Sequence, residues 1–268
     1  MPSLLTFLLA PSDGRPVERA ACVVAWSFVA LLTAALFTFA FNQLHYGWNW
    51  PAIWAYRQKF VQGWLMTVAI SAAALLVSVL IGVVTALARR ARFLPLRYAA
   101  ALYVEAVRGT PLLVQILILF YVVANAVGVE NRYVVGVLTL SLFAGAYLAE
   151  VVRAGLQALP KGQYEAADAM GLSYWQKTGL IILPQALRMV IPPLVNTFIG
   201  FFKDTSLVLI IGIFDLLTAG KTAIVEPAWQ GFGVEVYVFV GLIYLVFCFA
   251  MSKYSQGLEA ELNRHRRR

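Results

Sequence analysis

The residues of this sequence able to do chemistry are charged and polar side chains set within or beside long apolar runs. Glu105 and Arg108 stand three apart, as do Glu150 and Arg153, which puts each pair on one face of a helix. Charge at or near membrane depth is costly unless matched, so each pair reads as an ion pair that locks helices together or, alternatively, gates an opening between them. Pro192-Pro193 precedes Asn196 and Thr197. A proline removes the hydrogen bond to the carbonyl four residues back, which frees the carbonyls of Arg188 and Met189 to receive an ammonium, while Asn196 can donate to a carboxylate. The equal alternative is a packing kink with Asn196 bonded to a neighbouring helix. Lys203 and Asp204, followed by Thr205 and Ser206, can neutralise one another or line a pore mouth, and Asp204 can instead cap a short helix. Thr110 and Gln115 flank a further break at Gly109-Thr110-Pro111.

Other chemistries lack their residues. His45 and His265 are isolated, so neither a metal site nor a histidine base is predicted. Cys22 and Cys248 have no metal-ligand spacing and read as small packed hydrophobes. Gly220-Lys221-Thr222 has the end of a phosphate-binding loop, but the earlier glycine that such a loop requires is Asp215, and no strand precedes it. No catalytic residue and no cofactor are expected in this chain.

The elements that position these residues follow from composition. Of 268 residues 61% are hydrophobic and 13% charged, and the mean hydropathy is +0.78, more apolar surface than a core of this size can hide. An all-α integral membrane protein is predicted, since short alternating strands for a closed barrel are absent. The net charge of +8 sits in flanks, with Arg89, Arg90, Arg92 and Arg97 between two apolar runs and Arg264, Arg266, Arg267 and Arg268 in the tail. These are positive-inside signals rather than a nucleic-acid surface.

Runs long enough to cross a bilayer at roughly 20 residues each occur at 22–41, 62–88, 98–127, 133–156, 180–202 and 234–251. The basic loop at 89–97 faces the cytoplasm by its charge, so both ends of the chain are expected inside, and the first run is expected to remain as an anchor rather than a cleaved signal. The connection 42–60 is then outside. Its Tyr46, Trp48, Trp50, Trp54 and Tyr56 read as an interfacial aromatic belt on a short helix after Pro51, with a ligand-gripping cage as the alternative. The third run is broken at Gly109-Thr110-Pro111 into a short inner piece and a longer spanning piece. Residues 205–215 are too few to span and are predicted to be re-entrant; a full span is the alternative. The domain organisation expected is 1–61 as an N-terminal segment, 62–256 as a core and 257–268 as a basic tail.

Between the fourth and fifth runs lies a helix-turn-helix. Pro160 and Gly162 break the preceding helix, 163–170 reads as a two-turn helix with Gly171 as a left-handed cap, and Ser173 with Gln176 gives a capping box for the next helix. Glu165-Ala166-Ala167, Gly171, Ile181 and Leu183-Pro184 stand at the spacing of the signature loop of membrane subunits of ATP-binding-cassette (ABC) importers, and the loop resembles it. Four other stretches resemble the polar amino acid uptake family, nearest to broad-range L-amino-acid systems: Glu105 with Arg108 to Gln115; Ala146 to Glu150 with Arg153; Pro184 to Arg188 leading to Pro192-Pro193; and Lys203 to Leu207.

The resemblance covers about 60–261. It implies a five-span type I ABC-importer permease core, here with one extra N-terminal span to make six, in a bacterial inner membrane. It further implies that the loop forms a cytoplasmic coupling helix, with Gln163, Glu165, Ala166, Ala167 and Gly171 serving an ATPase dimer. ATP and Mg would belong to that partner. A second permease subunit, with a paralogous heterodimer favoured and a homodimer possible, and an extracytoplasmic amino-acid-binding protein complete the implied set, with membrane lipid around it and no nucleic acid. A secondary transporter would usually show matching broken helices in two halves, and a membrane enzyme would need clustered His, Asp or Cys; neither pattern is present. The substrate path is expected to draw on Thr110, Gln115, Asn196, Thr197, Asp204 and Ser206. No acid lies within 180–202, so the path is expected to read an amino acid's zwitterionic backbone and to take neutral polar or acidic side chains.

Overall fold

The computed structural model describes residues 19–43, 48–226 and 233–263, and these contain helices and turns without a strand. They fall into two units, Met1–Trp48 and Asn49–Arg268. In the first, α1 (Arg19–Gln43) is a single apolar helix whose surface is nearly all exposed, including Trp26 at 75% and Leu31 at 70%. Cys22 is exposed rather than packed.

In the second unit, α2 (Trp50–Ala55) and α3 (Arg57–Ala88) are followed by α4 (Leu94–Arg108), α5 (Leu112–Ile118) continuing as a π-helical turn to Ala124, and α6 (Arg132–Gln157). The chain then forms α7 (Lys161–Ala169), α8 (Tyr174–Gln176), a π-helical stretch Lys177–Ile182, α9 (Leu183–Asp204), a 3-10 helix Thr205–Ile211, α10 (Leu216–Ile224) and α11 (Val234–Asn263). Five helices among the described residues are long and apolar enough to cross a membrane, and the bent pair α4–α5 makes up to six.

α6 is the central element, packed most extensively along α3. Glycine makes that approach possible: a Cβ on Gly82 would lie 2.7 Å from the Leu148 Cβ, and one on Gly145 would lie 2.6 Å from the Ile81 Cγ2. Small residues replace the hydrophobic effect between helices in lipid, because they let backbones come close enough for dispersion contact. The core beside this seam joins Ile70, Leu112, Ile116, Leu140, Phe143 and Val208.

The structure alters three expected details. The break at Gly109-Thr110-Pro111 bends the chain by 109°, and the helical piece after it is no longer than α4. Pro192 and Pro193 lie inside α9 without interrupting it. Residues 205–211 continue α9 as 3-10 turns instead of starting a new segment, and the chain turns at Gly212, whose φ is 71°. The turn is tied to the first turn of α6 and the third turn of α3, since Arg132 Nη1 donates to the Gly212 carbonyl at 3.1 Å and the Leu216 amide donates to Thr67 Oγ1 at 3.0 Å. Buried Asp215 caps α10 by accepting from the Thr218 amide at 2.8 Å. Asp204 makes no side-chain cap. The capping acid is therefore eleven positions later than the sequence reading had it, because helical geometry persists through 204 and restarts only after the Gly212 turn.

Candidate functional site: the coupling loop, its ionic joint and the helix-break polar groups

The loop after α6 is built by local hydrogen bonds. Pro160 stands at the N-cap of α7 in extended geometry, and α7 ends in a Schellman arrangement in which the Gly171 amide donates to the Asp168 carbonyl at 3.0 Å and the Leu172 amide to the Ala167 carbonyl at 3.2 Å. Gly171 has a φ of 69°. Both halves of the capping box form, Ser173 N to Gln176 Oε1 at 3.0 Å and Gln176 N to Ser173 Oγ at 3.4 Å. Lys177 bridges back to Asp168 at 2.5 Å.

Beneath the loop, Leu159, Ile182 and Ala186 form a small core with Tyr164, Ile181 and Met189 against it. Ala167 is fully buried. It packs within its own chain and offers no surface for close approach, a correction to the pairing of Ala166 with Ala167; the helical 100° step turns Ala166 out and Ala167 in. Gln163, Glu165 and Ala166 are exposed. Gln163 also accepts from Gln185 Nε2 of α9 at 3.0 Å. Around them Met170 is 65% exposed, Tyr174 66% and Trp175 79%, the two rings edge to face at 5.3 Å. The sequence reading of the loop gives neither these aromatics nor Met170 a role.

Glu150 and Arg153 pair as expected, with Arg153 Nε 3.0 Å from both carboxylate oxygens and Nη2 in contact with Oε1. Arg89 joins them from the end of α3, Nη1 to Glu150 Oε2 at 2.6 Å, and Arg153 Nη1 reaches Gln157 Oε1 at 2.6 Å. One carboxylate thus ties α3 to α6, and Arg153 extends the network along α6 to its last residue, Gln157. Arg89 had been read only as a positive flank, since no spacing rule links residues 61 apart. Glu105 and Arg108 form no ion pair; Arg108 instead lies over the Tyr147 ring at 5.3 Å. A guanidinium over an aromatic face gains a cation–π attraction that a pair on an exposed helix surface offers only weakly.

The polar residues at the helix breaks are brought together only in part. Gln115 Nε2 donates to the Val107 carbonyl at 2.8 Å and to Thr110 Oγ1 at 2.8 Å, and Thr110 Oγ1 donates to the Ala106 carbonyl at 2.8 Å, so the two side chains staple the α4–α5 bend. Asn196 Oδ1 accepts from Ser255 of α11 at 3.2 Å, and Thr197 donates to the Pro193 carbonyl at 2.8 Å. Of the two readings of Asn196, the bond to a neighbouring helix is the one formed. Ser206 donates to the Lys203 carbonyl at 2.8 Å. Asp204 is half-buried, and among the described residues no ion pair joins it to Lys203. No hydrogen bond links the α4–α5 bend to the α9 group among the described residues. Tyr46, His45 and His265 lie outside the described residues.

At the opposite end of the bundle, Glu226 accepts from the Tyr56 hydroxyl at 2.6 Å and pairs with Lys59. The Lys59 ammonium and the Tyr56 hydroxyl hold the Glu226 carboxyl below the usual carboxylate range.

Residues 78–260 match the family model described as the inner membrane component of a binding-protein-dependent transport system. The chain is 50% identical over 188 residues to an inner membrane amino-acid ABC transporter permease protein, YhdY, of Escherichia coli, covering 68% of this chain and 50% of that protein. It is 44% identical over 210 residues to the glutamate/glutamine/aspartate/asparagine transport system permease protein BztC of Rhodobacter capsulatus, covering 76% of this chain and 48% of that one. It spans about half the length of these two relatives. A crystal structure described as an amino acid ABC transporter with histidines superposes with a TM-score of 0.74 at 31% identity, over 80% of this chain and 99% of the other. With the all-helical spans, the capped loop after α6 and a match over most of its length, the chain belongs to the family of inner membrane components of binding-protein-dependent transport systems.

Proposed function

We propose that this chain is the permease subunit of an ATP-driven importer of polar L-amino acids, moving substrate by alternating access and carrying no catalytic residue of its own. Hydrolysis, with ATP and Mg, belongs to an ATPase dimer that docks on the loop after α6. The observation that carries the reading is that loop: a short helix held rigid by a Schellman turn at one end and a core beneath, with Glu165, Ala166 and an apolar rim of Met170, Tyr174 and Trp175 turned outward. A rigid, exposed helix with apolar side chains at its C-terminal end is what a lever needs, since a docking surface that yields transmits no motion. The relatives' names support an amino acid as cargo, acidic and amide side chains among them in BztC.

The remaining partners follow from the same reading: a second permease, favoured as a paralogous heterodimer, and an amino-acid-binding protein on the outer face. Both ends of the chain then face the cytoplasm, with Arg89 and α7 on that side and residues 42–60 on the other.

The test is in the loop. Gly171→Val meets no neighbouring atom within 4 Å, so its effect is confined to the left-handed backbone, about 1–2 kcal/mol for a residue with a Cβ. Glu165→Lys changes only an exposed charge. Both variants are expected to insert normally and to lose uptake together with substrate-stimulated ATPase activity in the reconstituted complex. Normal stimulated ATPase activity in both would sink the coupling reading.

A further inference from the structure

Away from the loop, a groove of about 370 Å³ lies between α2, the first turns of α3, and α11. Its floor is Phe60, buried and edge-on to Phe239 at 5.0 Å, and Trp64 and Ile243 form its walls. The rim is open, with Trp54 72% exposed and Val61 55% exposed. Arg57 stands at the mouth. Its guanidinium lies 5.1 Å from the centre of the Trp54 ring and donates to the Trp54 carbonyl at 3.0 Å, and no acidic side chain among the described residues pairs with it. Lys59, two residues on, pairs with Glu226.

Depth and charge together say what fits here. α2 carries Trp50 and Trp54 and leads directly into the span-length apolar helix α3, which sets the mouth of the groove at headgroup level, where tryptophan and arginine concentrate. The space below the mouth is lined by aromatic and aliphatic groups and is of the size that takes a small ligand, roughly 300–1,000 Å³. The occupant therefore has an apolar chain below and an anion above. A cation stacked on tryptophan keeps its remaining N–H donors in a fork that matches phosphate oxygens.

We propose that this groove is a binding site for an anionic phospholipid, with one acyl chain lying against Phe60, Trp64 and Ile243 and the phosphate on Arg57. The acyl chain then fills the space beside the contact of α2 with α11, where Ile53 joins the cluster with Leu216 and Val236 and the Asn49 amide donates to Glu235.

The test uses the assembled importer in nanodiscs of phosphatidylglycerol and phosphatidylcholine, with a trace of phosphatidylglycerol bearing a diazirine in its acyl chain. Cross-links are expected on peptides covering 53–64 and 239–243. Unlabelled phosphatidylglycerol should compete better than phosphatidylcholine, and Arg57→Gln should reduce that preference about fivefold, the effect of one basic residue at an anionic surface. Labelling of the exposed α3 face at Leu76 and Leu80 should not change, and Arg57→Lys should retain most of the preference. Ile243→Trp, which fills the groove and leaves Arg57 in place, should abolish the groove label. The proposal is overturned by equal competition from the two lipids, by an Arg57→Gln variant with the wild-type preference, by a groove label that persists in Ile243→Trp, or by cross-links from the groove to a second copy of the chain instead of lipid.

Discussion

Replacing Glu150 with glutamine removes one charge from a joint that has three partners. Arg89 from α3 and Arg153 from α6 both bond its carboxylate, with side-chain exposures of 18% for Arg89, 25% for Glu150 and 27% for Arg153. An exposed pair is worth about 0–1 kcal/mol, and removing one member of a fully buried pair costs about 3–5 kcal/mol. At these exposures the expected loss lies between the two, about 2 kcal/mol, because the amide keeps one acceptor and each arginine keeps some access to headgroup water. At about 2–4 °C per kcal/mol for a chain of this size, the thermal midpoint in detergent should fall by about 4–8 °C. Arg89→Gln should cost less, since Glu150 keeps Arg153. The double variant Arg89→Gln with Glu150→Gln should then be less destabilised than the sum of the two, by at least 0.5 kcal/mol or so. Uptake per ATP hydrolysed should fall in Glu150→Gln while hydrolysis itself persists, since the joint fixes α3 to the end of α6 that leads into the loop. Additive stability losses, or an unchanged ratio of uptake to hydrolysis, would refute the idea that this carboxylate joins the helices as a unit.

Topology is checked by single cysteines at Asn49 and Lys161 in a background lacking Cys22 and Cys248: an impermeant reagent should label them from opposite sides, and labelling from one side contradicts the orientation argument. In competition uptake, glutamine and glutamate are expected to displace substrate, and strict selectivity for arginine and lysine would count against a path that has no acid between 180 and 202. Asn196→Leu should break the bond to Ser255; transport of every amino acid at the wild-type rate would remove Asn196 from the path. The Glu226 carboxyl is held below its ordinary range by Lys59 and Tyr56, so the latch is fully present above the unfolded carboxylate pKa of about 4.3 and is lost as pH falls through the lower folded value. Amide exchange over 216–226 should therefore quicken below about pH 4 in the wild type, and in Glu226→Gln it should be quick throughout; equal profiles would reject the latch.

The six apolar runs, the capped loop after α6 and the Glu150–Arg153 pair were legible in the sequence, because each depends on short spacing. A span needs about 20 apolar residues, a Schellman turn needs a glycine just past the helix, and residues three apart share a helical face. What tertiary structure decided involved residues far apart in the chain or the competition between neighbours. Arg89 meets Glu150 only because Gly82 and Gly145 let α3 and α6 lie close along their length. Arg108 turned from Glu105 to Tyr147 because the α4–α5 bend carries it over α6. Gln115 and Thr110 were spent on stapling that bend, and Asn196 was drawn to Ser255 of a helix whose register the local sequence does not encode. In a bilayer a polar side chain has no water to fall back on, so it takes whichever donor or acceptor the packing brings within reach. That choice is made by the geometry of neighbouring helices and not by the residue's own spacing.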